Sequence, residues 1–93
     1  MYIVAQHTIE DIPTAFARGQ KLLDGEGTPP GVKLCQFLPS RDRSAVMCLW
    51  EGNALDDVRH YVDATMGDSS ETAYFEVDAV PARGLPQAAT VSA

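Results

Sequence analysis

Five residues of the chain have side chains suited to proton transfer or to holding a small ligand. They are an imidazole, two carboxylates, a phenol and an indole, namely His7, Trp50, Glu51, Tyr74 and Glu76. A buried histidine beside a carboxylate is a general acid or base whose pKa follows its surroundings, and an indole offers an apolar wall to a flat molecule. We predict His7 and Glu51 as catalytic residues and Trp50, Tyr74 and Glu76 as ligand-binding residues.

A structural role is the alternative for each of these five residues. A histidine in a strand is often a hydrogen-bonded core residue, and Trp50 has the character of a core residue. Glu51 would favour the N-terminus of a helix that follows it, and Tyr74 and Glu76 would be ordinary cross-strand residues. The choice depends on which face of a sheet each side chain occupies, and the sequence leaves that open.

The spacing of apolar residues divides the chain into strands and helices. The clearest change is in residues 45–66, where an apolar strand ends at Glu51-Gly52-Asn53 and apolar residues then recur at helical spacing. Asn53 is the expected N-cap of that helix, and Glu10-Asp11 offers the N-cap of an earlier one. The predicted elements are a strand at 2–9, a helix at 12–23, strands at 32–38 and 45–51, a helix at 54–66 and a strand at 72–80.

This order, β-α-β-β-α-β, is the split βαβ arrangement of the ferredoxin-like fold. We predict an α+β domain over residues 1–80, with a four-stranded antiparallel sheet and two helices on one face, followed by an extended tail at 81–93. At the centre of the sheet we expect right-handed crossovers to place the first and third strands side by side and parallel. That pairing would bring the five candidate residues to one end of the sheet.

The second and third strands form a predicted hairpin that is apolar on both faces. With the turn centred after Arg41, Cys35 faces Cys48 across the hairpin. One face then carries Cys35, Phe37, Val46, Cys48 and Trp50, and the other carries Val32, Leu34, Leu38, Met47 and Leu49. Two helices can cover only one face, so we expect a second copy of the chain to cover the other.

Size and charge narrow the classes of function. Ninety-three residues, of which 45% are hydrophobic and 22% charged, form one small globular domain. The net charge of -6 and the scattered Lys and Arg residues argue against nucleic acid or an anionic membrane surface as a partner. No apolar run approaches the roughly 18 residues of a membrane span, and no signal segment is recognisable. We expect a cytoplasmic protein whose two cysteines are buried thiols and not a disulfide.

Across residues 2–80 the chain resembles the dimeric α+β barrel superfamily. The resemblance rests on the order of elements, on the segment CLWEGN at the end of the third strand and on YFEVDAV in the fourth. The chain looks similar in particular to small uncharacterised bacterial proteins of that type, which include nickel-binding members. The resemblance implies a homodimer whose two sheets face each other, with a ligand cavity between sheet and helices. In the cofactor-free and haem-degrading monooxygenases of the superfamily, the position corresponding to His7 and a nearby Trp line that cavity. The basic, His-rich second helix of the haem-degrading branch is missing here, so haem is not expected.

Three hypotheses follow. The first is a homodimer that binds a small organic molecule without a cofactor, as a monooxygenase, isomerase or cyclase in which His7 is the acid or base. The second is a non-enzymatic metal-binding or interaction module, since His and carboxylates suit nickel or zinc. One chain supplies only His7 as an inward imidazole, so such a metal site would need the dimer axis or water. The third is a structural dimer without a ligand.

Overall fold

Residues 1–86, which the computed structural model describes, form a chain of ferredoxin-like topology. In chain order the elements are β1 (Tyr2–Ile9), α1 (Ile12–Leu23), β2 (Lys33–Pro39), β3 (Ala45–Glu51), α2 (Leu55–Met66), a short 3-10 helix (Gly67–Ser69) and β4 (Ser70–Glu76). This order confirms the predicted α+β architecture. The last part of the predicted tail, residues 87–93, lies outside the described residues. No helix within residues 1–86 is long and apolar enough to cross a membrane.

The two helices begin differently. Asp11 caps α1, because its carboxylate accepts a hydrogen bond from the Thr14 amide at 3.2 Å. The predicted N-cap of α2, Asn53, is wrong, since the helix starts from Ala54, which makes no side-chain hydrogen bond. The start of α2 therefore depends on packing, with Val58 of its first turns fully buried against the sheet.

The strand order is β2-β3-β1-β4, and every neighbouring pair is antiparallel. The expected parallel pairing of the first and third strands is wrong. A right-handed crossover makes parallel only the two strands that a helix connects, which here are β1 with β2 and β3 with β4. Because β3 turns back from β2 through a hairpin and lies beside β1, it runs against β1. Tyr2 consequently lies opposite Glu51, and His7 lies opposite Val46.

A β-bulge at Cys35 shifts the register of the β2–β3 hairpin. Leu34 pairs with Trp50, but beyond the bulge Phe37 pairs with Cys48. The predicted pairing of Cys35 with Cys48 is therefore wrong, because the turn is centred after Asp42, one residue later than predicted, and the extra residue at Cys35 shifts the register again. Leu34 shares the helix-bearing face of the sheet with Phe37, and Cys35 packs on the opposite face.

Apolar residues cluster on both faces of the sheet, as predicted. The face that carries the helices, here called the covered face, buries a set that includes Ile3, Ala5, Trp50, Val58 and Val62. The opposite or open face has a smaller cluster of Tyr2, Val4, Leu49 and Leu85. Around this cluster Leu38, Met47 and Phe75 remain 50%, 42% and 47% exposed. The segment that follows β4 thus covers part of the open face and leaves several large apolar side chains in water.

Candidate functional site

A cavity of about 390 Å³ lies between α1 and the covered face of the sheet. Most of its wall is apolar and includes Ile9, Phe16, Leu22, Leu34, Phe37 and Met66. Residues with polar side chains also contribute to the wall, among them His7, Gln20, Arg43 and Cys48. A cavity of this size, with apolar walls and a few polar groups, is typical of sites for small organic molecules.

His7, predicted as catalytic, lines this cavity. It lies near the end of β1, between Val46 of β3 and Thr72 of β4. Only 5% of the residue is exposed. Its Nδ1 lies 2.8 Å from the Thr72 hydroxyl oxygen, so one ring nitrogen is held by the sheet and the other, Nε2, has no hydrogen-bond partner within residues 1–86.

Polar side chains extend from His7 past Thr72 and Tyr74 to Asp63, and we call these four residues the polar chain. At one end Nδ1 of His7 and the Thr72 hydroxyl share a hydrogen bond, in which the tautomer of the imidazole decides which atom donates. At the other end the Tyr74 hydroxyl donates to Asp63 Oδ1 at 2.6 Å, because an ionised carboxylate only accepts. Thr72 and Tyr74 alternate on one face of β4 and so bring the two ends together.

The surroundings of the polar chain also determine its protonation. Burial lowers the pKa of His7, and the Asp63 carboxylate opposes this effect. Burial raises the pKa of Tyr74 well above its usual range, and the hydrogen bond to Asp63 raises it further. At neutral pH the site therefore holds a neutral imidazole and a protonated phenol, which leaves Nε2 of His7 able to accept a proton.

Trp50, predicted to contact a ligand, lies in the core beside the cavity and is not part of its wall. The residue is 1% exposed, and its ring contacts Tyr61 edge-on with the ring centroids 5.9 Å apart. Within residues 1–86 its Nε1 has no hydrogen-bond partner. The aromatic part of the cavity wall comes from Phe16 and Phe37, whose rings meet edge to face at 6.4 Å.

The two predicted glutamates lie far from His7. Glu51 ends β3 opposite Tyr2, which is five positions from His7 along β1, or about 17 Å at the rise of a strand. Glu76 is exposed and lies opposite Ile3 near the same end of the sheet. The predicted gathering of all five residues at one end is therefore wrong, because it depended on parallel pairing of β1 with β3. Of the other four, Tyr74 lies nearest to His7 in the sheet, two positions along β4 from Thr72, which pairs with His7.

Three residues that the sequence did not single out belong to this site. Thr72 and Asp63 extend the polar chain from His7, and Arg43 lines the cavity from the β2–β3 turn. The sequence could have indicated Thr72, since it alternates with Tyr74 on one face of β4 and antiparallel pairing places it beside His7. Nothing in the sequence indicated Asp63 or Arg43 as site residues, because an acidic residue on a helix and a cation in a turn are usually solvated.

Metal donors do not converge in the described part of the chain. No group of three or more His, Cys, Asp or Glu residues within residues 1–86 is close enough to hold a metal ion. Cys35 and Cys48 are both free thiols, as predicted, but only Cys48 is buried, because the bulge places the two on opposite faces of the sheet. Only Cys48 lines the cavity with His7.

No model of a known protein family matches the chain, and none of the curated proteins matches it. The structure therefore classifies the chain only by its ferredoxin-like α+β fold. The function of the protein must be inferred from the cavity and the polar chain.

Proposed function

We propose that the protein binds a small organic molecule in the cavity between α1 and the covered face and that His7 transfers a proton to or from it. The observation that carries this proposal is a buried imidazole, hydrogen-bonded through Nδ1 to Thr72, in the wall of a largely apolar cavity. Because Thr72 occupies Nδ1, Nε2 is the ring nitrogen that a ligand atom would meet.

The apolar lining selects the kind of molecule. Phe16 and Phe37 favour a flat or aromatic body, and the cavity volume of about 390 Å³ suits a small ligand with few polar atoms. A charged group would be costly to bury among these side chains. The reacting part of the ligand is therefore an apolar portion with a weakly acidic C–H or O–H bond.

The proposed step is removal of that proton by Nε2 of His7. The imidazolium so formed keeps its Nδ1–H bond to Thr72, and the carboxylate of Asp63 at the end of the polar chain favours the positive charge. Isomerases, cyclases and cofactor-independent monooxygenases can all begin with such a step, since each requires an enolate or a phenolate. We propose that this protein belongs to one of these classes and that its own residues provide the base.

Binding in the cavity can be tested with Gly19→Leu. Gly19 lies in α1 and lines the cavity, and a Cβ built there would have its nearest neighbour, Met66 Sδ, at 4.0 Å. A leucine therefore fills the cavity without an immediate clash. The matched control is Ala17→Leu, an exposed position of α1 outside the wall. We expect 2-tetralone, an enolisable aromatic ketone, to raise the melting temperature of the wild type and Ala17→Leu but not of Gly19→Leu.

Proton transfer is tested by exchange of the α-hydrogens of 2-tetralone for deuterium, followed by NMR. His7→Gln is expected to lower the protein-catalysed exchange rate by about 100-fold or more, the usual contribution of a general base. His60→Gln is the control, because His60 is exposed on α2. Binding of 2-tetralone without His7-dependent exchange would contradict the acid–base role, and unaltered binding to Gly19→Leu would contradict the location.

We further propose that two copies of the chain associate through their open faces. Two neighbouring rows across this face carry no charge: Leu38, Met47, Gln6 and Ala73 in one, and Gln36, Leu49, Val4 and Phe75 in the other. Copies with a net charge of -6 repel each other wherever their acidic surfaces meet. A second copy of this uncharged apolar face is therefore a favourable partner, and contact would remove Leu38, Met47 and Phe75 from water.

Light scattering after size-exclusion chromatography tests this association. We expect the wild type to have twice the mass of one chain at micromolar concentration and Met47→Glu to have the mass of one chain, since the introduced carboxylates would face each other. Val80→Glu is the control, because Val80 is 91% exposed outside the two rows. A monomeric wild type, or equal effects of both substitutions, would contradict association through the open face.

A further inference from the structure

The wall of the cavity includes the cationic side chain of Arg43, which contacts the ring of Phe16. Arg43 belongs to the turn between β2 and β3, is exposed, and also lines the cavity. It therefore lies at the mouth, where the cavity meets solvent. Its guanidinium carbon is 5.0 Å from the centre of the Phe16 ring, a distance at which a cation is attracted to the face of the ring.

The N–H donors of this guanidinium are available to a ligand. Within residues 1–86 its N–H groups make no hydrogen bond and no ion pair, whereas Arg18 pairs with Asp68 and Arg59 with Asp56. Contact with an aromatic face leaves the N–H edge of a guanidinium available. A cation that is fixed over a ring and unpaired at its edge is suited to a second, anionic partner.

The acidic neighbour of Arg43 is already engaged in the turn. Asp42 Oδ1 accepts hydrogen bonds from the hydroxyl of Ser40 at 2.9 Å and from the amide and hydroxyl of Ser44 at 3.0 and 2.7 Å. The same hydrogen bonds lower the pKa of Asp42. Arg43 itself adopts φ 65°, a left-handed conformation that non-glycine residues seldom take. The turn thus holds the aspartate in its own network and directs the arginine towards the cavity.

We infer that the ligand is a carboxylate with an aromatic or otherwise flat apolar body, and that Arg43 binds its carboxylate at the mouth. This inference rests on the proposed function, since it names the chemistry of the molecule in the same cavity. The planar fork of arginine matches a carboxylate with two hydrogen bonds. The apolar walls keep the charge at the mouth and admit the body, which then extends towards the neutral His7.

The test measures binding of 2-naphthoate and its uncharged counterpart 2-naphthamide by calorimetry. Arg43→Gln is expected to lower the affinity for 2-naphthoate by roughly 10-fold to 100-fold, as loss of charged hydrogen bonds does. The affinity for 2-naphthamide should change by no more than about twofold. Arg43→Lys keeps the charge but not the fork, so an intermediate loss is expected. The control is Arg41→Gln, which removes the same charge from the same turn at a position outside the cavity wall.

Several outcomes would overturn the inference. Equal affinities of wild type for naphthoate and naphthamide, or equal weakening of naphthoate by Arg43→Gln and Arg41→Gln, would show that Arg43 does not select a carboxylate. If naphthamide still binds and Gly19→Leu prevents it, the proposed cavity stands and only the carboxylate is wrong. If neither compound binds the wild type, the inference is wrong, and the proposed ligand site stands or falls with the binding of 2-tetralone.

Discussion

The covered and open faces of the sheet consist of the same four strands but bury their side chains to different extents. On the covered face Ile3 and Ala5 are fully buried. On the open face Met47 and Phe75 remain 42% and 47% exposed. Neighbouring residues of one strand supply both faces, as Ile3 and Val4 do, so the difference comes from what packs on each face and not from strand composition.

This difference separates two roles within one small sheet. The helices form a cavity on the covered face, and burial there lowers the pKa of His7, which is hydrogen-bonded to Thr72. Within residues 1–86 no such polar chain lies on the open face, and the short segment around Leu85 covers only part of that face. Chemistry is therefore expected on the covered face and association on the open face.

The largest expected effect is on folding stability. Ile3→Ala removes a fully buried side chain from the covered face and should lower the free energy of unfolding by about 2–5 kcal/mol. Phe75→Ala should cost less than about 1 kcal/mol in a dilute sample of single chains, because the side chain is half exposed there. Urea unfolding measures both values. If Phe75→Ala costs as much as Ile3→Ala even in single chains, the two faces do not differ as described.

The second expected effect compares a thiol on each face. Cys48 on the covered face is 3% exposed, and burial raises its pKa to about 12. Cys35 lies half-buried on the open face, where burial and Glu51 raise its pKa while Lys33 opposes the rise. Because the thiolate is the reactive form, we expect iodoacetamide to modify Cys35 at least about tenfold faster than Cys48 in a dilute folded sample of single chains.

Mass spectrometry separates the two thiols without substitution, since trypsin releases them in peptides 34–41 and 44–59. In denaturant the two rates should become similar, which serves as the control. Equal rates in the folded protein would mean that the covered face opens as readily as the open face, and the cavity would then not be a dry site.

Much of the fold could be predicted because apolar periodicity is local. The strand at Tyr2–Ile9 and the helix at Ile12–Leu23 have the predicted bounds. The predicted direction of β3 relative to β1 was wrong. The crossover makes β2 parallel to β1, and the hairpin then requires β3 to run against both strands. The bulge at Cys35 could not be predicted, since it changes no residue type and only the pairing reveals it.

The site was less predictable because it depends on contacts between distant segments. His7 and Tyr74 could be singled out by residue type alone. Their connection required Thr72, an ordinary strand residue, and Asp63 from the other helix. Arg43 reaches the cavity through an unusual backbone angle, which no pattern of residue types records. The prediction of Glu51 beside His7 depended on the wrong strand direction.

The smallest expected effect is the pH dependence that burial of His7 produces. The pKa of His7 is lowered in the folded protein, chiefly by burial, whereas the unfolded chain binds that proton near pH 6.5. The unfolded state therefore holds more protons below this pH, and the free energy of unfolding should fall as the pH is lowered from about 6.5 to the folded-state pKa. One proton limits the slope to about 1.4 kcal/mol per pH unit.

Urea unfolding of His7→Gln and His60→Gln between about pH 7 and pH 5 isolates this contribution. His7→Gln should reduce the fall in the free energy of unfolding as the pH is lowered. His60→Gln leaves the buried imidazole in place, so the fall should remain as in the wild type. A ¹⁵N NMR measurement of the His7 ring adds a readout that a general loss of stability would not change. If Nε2 is the base, the measurement should detect a proton on Nδ1 and none on Nε2 at neutral pH, and Thr72→Val should disturb this tautomer because it removes the hydroxyl that Nδ1 contacts. An unchanged slope in His7→Gln, or a proton on Nε2 in the wild type, would mean that the covered face does not hold His7 ready to accept a proton.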